Sequence, residues 1–198
     1  MSGPSGAGKG TICELLREKL PEIKISISKT TRLPRGTEKD GVEYFFVDTK
    51  TFEQDIENNQ FMEYAKVHTS YYGTPKSYVE ELLSQGYDVI LEIDVQGALQ
   101  VQKNTTEGIF VFIAPPSMEE LRNRIVKRQT DSPEQIEIRM KNAKDEMLTA
   151  QSYDYLVINE DKEETTKQVV DIITAEKLKV KRQEAKIKFI MGEKQDGI

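Results

Sequence analysis

Short apolar runs alternate along this chain with longer stretches in which apolar positions recur at helical spacing. Residues 23–28 (IKISIS) alternate between apolar and polar, which predicts a strand. Residues 42–47 (VEYFFV) and 61–67 (FMEYAKV) predict two more. Residues 88–94 (DVILEID) form a near-continuous apolar run ending in acid, the pattern of a central strand buried on both faces. Residues 109–114 (IFVFIA) repeat that pattern and stop at Pro115 and Pro116, and residues 155–158 (YLVI) predict a short last strand. Helices fill the gaps. One is expected over residues 9–20, ending before Pro21. Ser117 with Glu120 reads as a capping box opening a helix to about residue 129, with Leu121 and Ile125 on one face. Ser132, Pro133 and Gln135 open the next helix, which runs toward Ala150, and another extends from about Glu163 through Leu178. This order of elements predicts an α/β fold built on a parallel sheet. The segment 184–198 is mixed in charge, loses apolar periodicity and reads as a frayed tail.

Composition narrows the chemistry. The 198 residues suit one domain. Lys and Arg total 28 against 34 Asp and Glu, a net charge of −6, which argues against broad nucleic-acid binding through a basic face. The single cysteine, Cys13, excludes an intrachain disulfide framework and a Cys-cluster zinc site, and reads as a core residue. The single histidine, His68, argues against His-based metal sites and catalytic triads and reads as having no chemical role. No apolar stretch approaches the roughly 18 residues of a membrane span, and no charged-then-apolar leader is evident. The expectation is a soluble cytoplasmic protein that binds neither nucleic acid nor membrane. The basic stretch 177–182 reads as a solvated helix end.

The strongest chemical signal is GPSGAGKGT at residues 3–11. Gly3, Gly6 and Gly8 permit turns that aim several N–H groups at one anion, the following helix adds its positive end, and Lys9 adds a point charge for the outer phosphates. The pattern is that of a Walker A loop except at its last place, where Gly10 stands for Ser or Thr and Thr11 follows one residue later. The assignment is a nucleoside triphosphate site formed by Gly3, Pro4, Ser5, Gly6, Ala7, Gly8, Lys9, Gly10 and Thr11. Such a loop hangs from a buried strand, yet only Met1 and Ser2 precede Gly3, so the strand expected there is missing and the loop is expected to have lost its anchor. Asp94-Val95-Gln96-Gly97 fits the DxxG pattern of GTPase switch regions, but the Asn-Lys-x-Asp run that a GTPase needs for guanine does not occur.

After the first helix, Arg32 and Arg35 sit three apart on a loop with a Pro-Arg-Gly turn signal. Two guanidinium forks beside hydroxyls suit a second, separate phosphate, to which the phenols of Tyr44, Tyr71 and Tyr72 can add hydrogen bonds. Arg124 and Arg128 lie four apart on one helix face, Arg139 lies on the next helix, and the residues between read as a mobile lid.

With these segments in order, the sequence resembles the guanylate kinase family. The resemblance runs over about residues 1–183 and is carried by the phosphate loop, residues 28–35, 41–47 (GVEYFFV), 59–65 (NQFMEYA), 71–74 (YYGT), 91–97 (LEIDVQG), 112–117 (FIAPPS) and 158–161 (INED). It implies a three-layer α/β/α P-loop kinase fold with a central parallel sheet, a small α+β GMP-binding subdomain and a helical lid. The implied division is a core of 1–28, 79–123 and 140–183, a GMP-binding subdomain of 29–78 and a lid of 124–139.

The resemblance further implies transfer of the γ-phosphoryl of ATP to GMP with Mg²⁺ as the metal. Glu63 matches the family carboxylate that reads guanine, whose N1–H and N2–H₂ are adjacent donors for one carboxylate. Ser28 and Thr74 match hydroxyls near the base, and Arg32, Arg35, Tyr44 and Tyr72 match the GMP-phosphate clamp. Glu92 and Asp94 match acids beside the GMP site, with Asp94 and Thr11 toward Mg²⁺. Lys9, Arg35, Arg128 and Arg139 take the catalytic charge-stabilising roles, Arg124 and Arg128 close over ATP, and Asn159 approaches its adenine or ribose. Gln129 stands where relatives often have Gly. No general base is required, because the attacking phosphate oxygen is already largely ionised at neutral pH. The alternatives are a kinase for another nucleoside monophosphate and a guanylate-kinase-like interaction module without catalysis; the sequence leaves monomer and homodimer open.

Overall fold

The computed structural model describes residues 1–67, 69–105, 107–127 and 131–192. His68 and Arg128 therefore lie outside the described residues, as do Gln129 and Thr130. The chain opens with helix α1 (Lys9–Lys19) and strand β1 (Ile23–Ile25), and closes with β8 (Tyr155–Ile158) and α7 (Lys162–Leu178), followed by a short helix α8 (Glu184–Ile190). Between them lie β6 (Asp88–Ile90), β7 (Val111–Ala114), α4 (Val95–Asn104), α5 (Met118–Lys127) and α6 (Pro133–Leu148).

The central sheet is built from two parallel pairs, β1 with β6 and β7 with β8. Met1 and Ser2 join them. The Met1 amino nitrogen donates to Leu91 O (2.9 Å), Ile93 N donates to Met1 O (3.3 Å), Ser2 N donates to Val111 O (2.9 Å) and Ile113 N donates to Ser2 O (2.8 Å). Two residues thus hold the parallel pairing that a full strand was expected to supply, and the phosphate loop is anchored after all. A cavity of about 410 Å³ lies beside them, lined by Ile90, Leu91, Ile109, Phe110, Val111 and Ile173.

Both sheet faces are covered. Val111, Ile113 and Val157 pack with Ile12 and Leu16 of α1 and Val169 of α7. The alternate residues, Phe112 and Ala114, pack with Val95, Leu99 and Met147 on the other face. This alternation explains why residues 109–114 read as an uninterrupted apolar run: a strand between two helical layers has no solvent side. The α/β/α layering expected from the sequence is the fold observed.

A second, mixed sheet carries β3 (Phe45–Phe46), β2 (Lys29–Thr30), β5 (Ser70–Pro75) and β4 (Phe61–Val67) in that spatial order. The run 42–47 yields only a two-residue strand, because Gly41 N donates to Tyr44 O (2.8 Å) and the Asp40 carboxylate takes the Phe46 N–H (2.8 Å), which turns residues 41–44 away from the ladder. Helices α2 (Thr49–Glu57), α3 (Lys76–Ser84) and α4 were not among the expected elements. Phe52 of α2 is fully buried between Phe61 (4.4 Å between centroids) and Tyr71 (5.2 Å), and this aromatic stack is the subdomain's own core. The basic stretch after α7 is less free than expected: Lys179 pairs with Glu176 (2.5 Å), and Lys177 pairs with Asp88.

Gly3 shows how tightly Ser2 is inserted. Its φ is +137°, and a Cβ there would lie 2.1 Å from Ile113 O. Gly3→Ala should therefore force the chain off β7 and lower the thermal midpoint by several degrees or more. Thermal unfolding followed by circular dichroism checks this, and an unchanged midpoint would show that the Ser2 pairing bears no weight.

Candidate active site

The phosphate loop hangs between β7 and α1, and the contacts it makes account for its shape. The Lys9 ammonium folds back to donate to Gly3 O (2.6 Å) and Pro4 O (3.2 Å). Ala7 N also donates to Pro4 O (3.1 Å), and the Asn159 side-chain amide donates to Ala7 O (2.7 Å). With these carbonyls engaged outward, the N–H groups at the start of α1 are left without helical acceptors. Gly8 caps α1 in a left-handed conformation, and no side chain among the described residues makes a cap hydrogen bond there, so the positive end of the helix keeps donors for an anion.

Burial holds the Lys9 ammonium below its ordinary pKa, against the opposing pull of Glu92, Glu146 and Asp94. Glu92 also lies near Gly10, 3.6 Å from where a side chain would begin, and Glu146 takes a backbone hydrogen bond from Ser5. Burial raises the Glu146 carboxyl, with Lys9 acting in the opposite direction. The structure therefore brings Lys9, Glu92 and Asp94 together as expected and adds Glu146, which the sequence reading missed because α6 reaches the loop only through tertiary packing. Thr11 stands exposed in the first turn of α1. These are oxygen donors of the kind a hard divalent cation takes alongside water and phosphate oxygens. Among the described residues no three acidic, His or Cys side chains form a ready-made cage. That donor set fits Mg²⁺ held largely by substrate phosphates.

The second half of the site lies on the mixed sheet. Glu63 points from β4 into the interior and is 7% exposed. It accepts a hydrogen bond from the buried Thr74 hydroxyl at 2.6 Å, across the β4–β5 ladder where the two residues are partners. Its other oxygen lies against Gly97 in the first turn of α4, 2.6 Å from where a Cβ would stand. Asp94 caps that helix through Gly97 N (2.7 Å), and Gln100 clips α4 to β4 by accepting from Tyr64 N (3.1 Å) and donating to Tyr64 O (2.8 Å). Burial pushes the Glu63 carboxyl up to about 7, with the Thr74 hydrogen bond pulling it down and Asp94 adding to the rise. Gln100 escaped the sequence reading, and Gly97 entered it only as part of the run 91–97; the register of α4 on β4 gives both their meaning.

Beside Glu63 lies an aromatic and cationic cluster. Tyr44 and Tyr72 meet edge to face at 5.9 Å, and the Arg32 guanidinium sits over Tyr44 at 5.2 Å. Arg32 is held by Glu38 through two hydrogen bonds of 2.8 and 3.0 Å, and the same carboxylate accepts from Arg35 N at 2.7 Å. Ser28 is half-buried, and its carbonyl accepts from Phe45 N (2.9 Å), joining the cluster to β3. The side chain of Arg35 is not drawn in; that residue is exposed. On α5 and α6, Arg124 is held by Glu120 (2.9 Å) and by the Asn159 carbonyl (2.9 Å), while Arg139 pairs with Asp131 (3.1 Å).

Known proteins resemble this chain in sequence and in fold. The guanylate kinase family pattern matches residues 1–176. The chain is 53% identical to the guanylate kinase of Caldanaerobacter subterraneus subsp. tengcongensis over 182 residues, which cover 92% of this chain and 88% of that protein. It is 47% identical to the guanylate kinase of Oceanobacillus iheyensis over 100% of this chain and 95% of that protein. Among solved structures, the guanylate kinase from Anaplasma phagocytophilum matches with a TM-score of 0.72 at 35% identity, over 91% of this chain and 86% of that one.

The raised Glu63 carboxyl also carries a stability consequence. Between its ordinary value of 4.5 and about 7, folding takes up a proton at this site, so its contribution makes the protein less stable as pH rises through that window. Glu63→Gln removes the ionisation. The variant should melt above the wild type at pH 8 and converge on it near pH 4.5; a difference in midpoint that does not change with pH would show that Glu63 is not titrating across this range.

Proposed function

The chain belongs to the guanylate kinase family of nucleoside monophosphate kinases, and on that premise we propose that it transfers the γ-phosphoryl group of ATP to GMP, giving ADP and GDP. The observation that carries the choice of GMP is Glu63: a buried carboxylate, bonded by Thr74 and packed against α4, on the mixed sheet that also carries Tyr72 of the Tyr44–Arg32 cluster. An ionised carboxylate accepts both adjacent guanine donors, which adenine lacks. A site that buries such an acceptor discriminates strongly against a base that leaves it unpaired.

In this reading residues 29–78 bind GMP, residues 124–139 form the lid, and the remainder to residue 183 is the ATP-binding core. Ser28 and Thr74 contact the base. Arg32, Arg35, Tyr44 and Tyr72 hold the GMP phosphate, which displaces Glu38 from Arg32 and takes over its two hydrogen bonds. Gly3 to Thr11 hold the ATP phosphates, Lys9 swinging from the Gly3 and Pro4 carbonyls onto the outer phosphates. Arg124, Arg128 and Arg139 converge from the lid as charge spreads over the transferring oxygens. Glu92 and Asp94 lie between the two nucleotides. Mg²⁺, held by the phosphates with Thr11 and Asp94 nearby, would neutralise phosphate charge. The GMP phosphate oxygen attacks in its ionised form, so no side chain has to remove a proton. Positioning, charge neutralisation and exclusion of water do the work.

ADP release coupled to an indicator reaction tests the proposal. GMP should stimulate release, with AMP, CMP and UMP far behind; no stimulation by any of them would point to a module without catalysis, and preference for another nucleotide to a different kinase. Glu63→Gln should lower kcat/KM for GMP by about 10²-fold or more, because a donor amide replaces one acceptor. The KM for GMP in the wild type should also rise as pH falls through about 7, where Glu63 takes up its proton. The variant should lack that inflection while keeping the one from the phosphate itself near pH 6.

A further inference from the structure

We infer that Asn159 is a positioning residue for the phosphate loop: it fixes the Ala7–Gly8 peptide so that the Gly8 N–H faces the ATP phosphates, and it touches neither the base nor the ribose. The inference rests on the nucleoside triphosphate site proposed above and assigns Asn159 a different part in it.

Asn159 follows directly on β8 and is 5% exposed. Its own backbone is fixed at both ends, by Asn159 N donating to Ala114 O (2.8 Å) and by its carbonyl accepting from Arg124 (2.9 Å). The side chain therefore projects from the end of the central sheet and not from a loop. Its amide meets Ala7 O at 2.7 Å. A carbonyl oxygen only accepts, so the atom facing it is the amide nitrogen, and the buried Thr165 hydroxyl donates to the other end of the amide at 3.2 Å. One N–H of the amide and its oxygen are thus engaged within the protein, which fixes the orientation of the side chain. A Cβ on Gly8 would stand 2.3 Å from the amide nitrogen, so Asn159 also fills the space over the Gly8 Cα, where φ is +97°.

The geometry of a trans peptide supplies the next step. The carbonyl and N–H of one trans peptide unit point in opposite directions, and the described residues include no cis bonds. With Ala7 O turned onto Asn159, the Gly8 N–H must point to the opposite face of the loop. If the amide is lost, the peptide is free to rotate, and one donor of the cradle loses its fixed direction. A preorganised donor is worth more to an anion than one that must be ordered on binding.

Calorimetric titration of the full chain separates the possibilities, using ATP, base-free tripolyphosphate and GMP as probes. Asn159→Ala should weaken ATP and tripolyphosphate alike, by roughly tenfold for one lost hydrogen bond, and leave GMP unchanged. Thr165→Val, which removes only the hydroxyl, should give a smaller loss in the same pattern and serves where the first variant does not fold. Asn159→Asp should be worse than Ala near neutrality, because a carboxylate then faces a carbonyl. It should recover relative to Ala as pH falls and the carboxyl becomes a donor again, a reversal that simple loss of packing does not produce. Weakened ATP with unaltered tripolyphosphate would overturn the inference in favour of a base or ribose contact. Unaltered binding of both, or an equal loss of GMP affinity, would overturn it as well. Wild-type protein that binds neither ATP nor tripolyphosphate would instead remove the triphosphate site itself.

Discussion

A loop that binds an anion through its N–H groups must dispose of its carbonyl oxygens, because every peptide carries both and a carbonyl facing a phosphate repels it. The rest of this structure is arranged around that requirement. Gly3 O and Pro4 O are taken by the Lys9 ammonium, Pro4 O again by Ala7 N, Ala7 O by Asn159 and Gly8 O by Ile12 N (3.2 Å). The donors come from the loop itself, from α1 and from the end of β8. Of these acceptors, Ala7 O depends on a side chain from outside the loop and its helix, so losing Asn159 leaves that carbonyl unpaired and releases its peptide. The positive φ at Gly3, Gly6 and Gly8 is the conformational counterpart of the same arrangement: the chain must fold back on itself to face all its donors one way.

The supports that hold the loop also hold helix α5. Helix α5 packs directly on the loop, since a side chain at Gly6 would meet Leu121 and Ile125 at 3.0 and 3.1 Å. The same helix sends Arg124 to the Asn159 carbonyl. Helix α5 and the back of the phosphate loop therefore share one set of contacts at the end of the central sheet.

What the sequence made legible follows from this. The phosphate loop and the buried strands could be read because each signal is local: glycines at fixed spacing, or an apolar run between two breakers. Helix α6 was legible through its cap, and Ser132 and Gln135 make the reciprocal hydrogen bonds that their spacing implied. The mixed sheet was harder. Strand β2 is two residues long and carries no periodicity, and β5 includes Gly73, whose bare Cα is needed because Phe61 and Phe52 approach within 2.9 and 3.0 Å of a would-be Cβ. Helix α2 does carry a local signal, the Asp48 carboxylate accepting from Thr51 N (2.8 Å), but it was masked by the polar run around it. Glu63 was recognisable only by resemblance to a family. Its environment, from Thr74, Gly97 and Asp94, comes from three separate elements and has no trace in the local sequence. The same holds for Glu146 and Thr165, which act through tertiary neighbours alone.

The two halves of the candidate site share an electrostatic logic. Lys9 is a buried cation held below its ordinary pKa, and Glu63 is a buried carboxyl held above its own, in both cases chiefly by lack of water. Each is an ion kept where its charged form is poorly solvated, a condition that costs stability in the empty protein. Glu92, Asp94 and Glu146 moderate the first, and Asp94 aggravates the second, so one acid couples both sites. A triphosphate arriving at Lys9 and a pair of ring donors arriving at Glu63 would each supply the partner that the fold withholds. The destabilisation built into the empty site is then recovered as selectivity for ligands of complementary charge, and a ligand without that complement leaves the buried ion as costly as before.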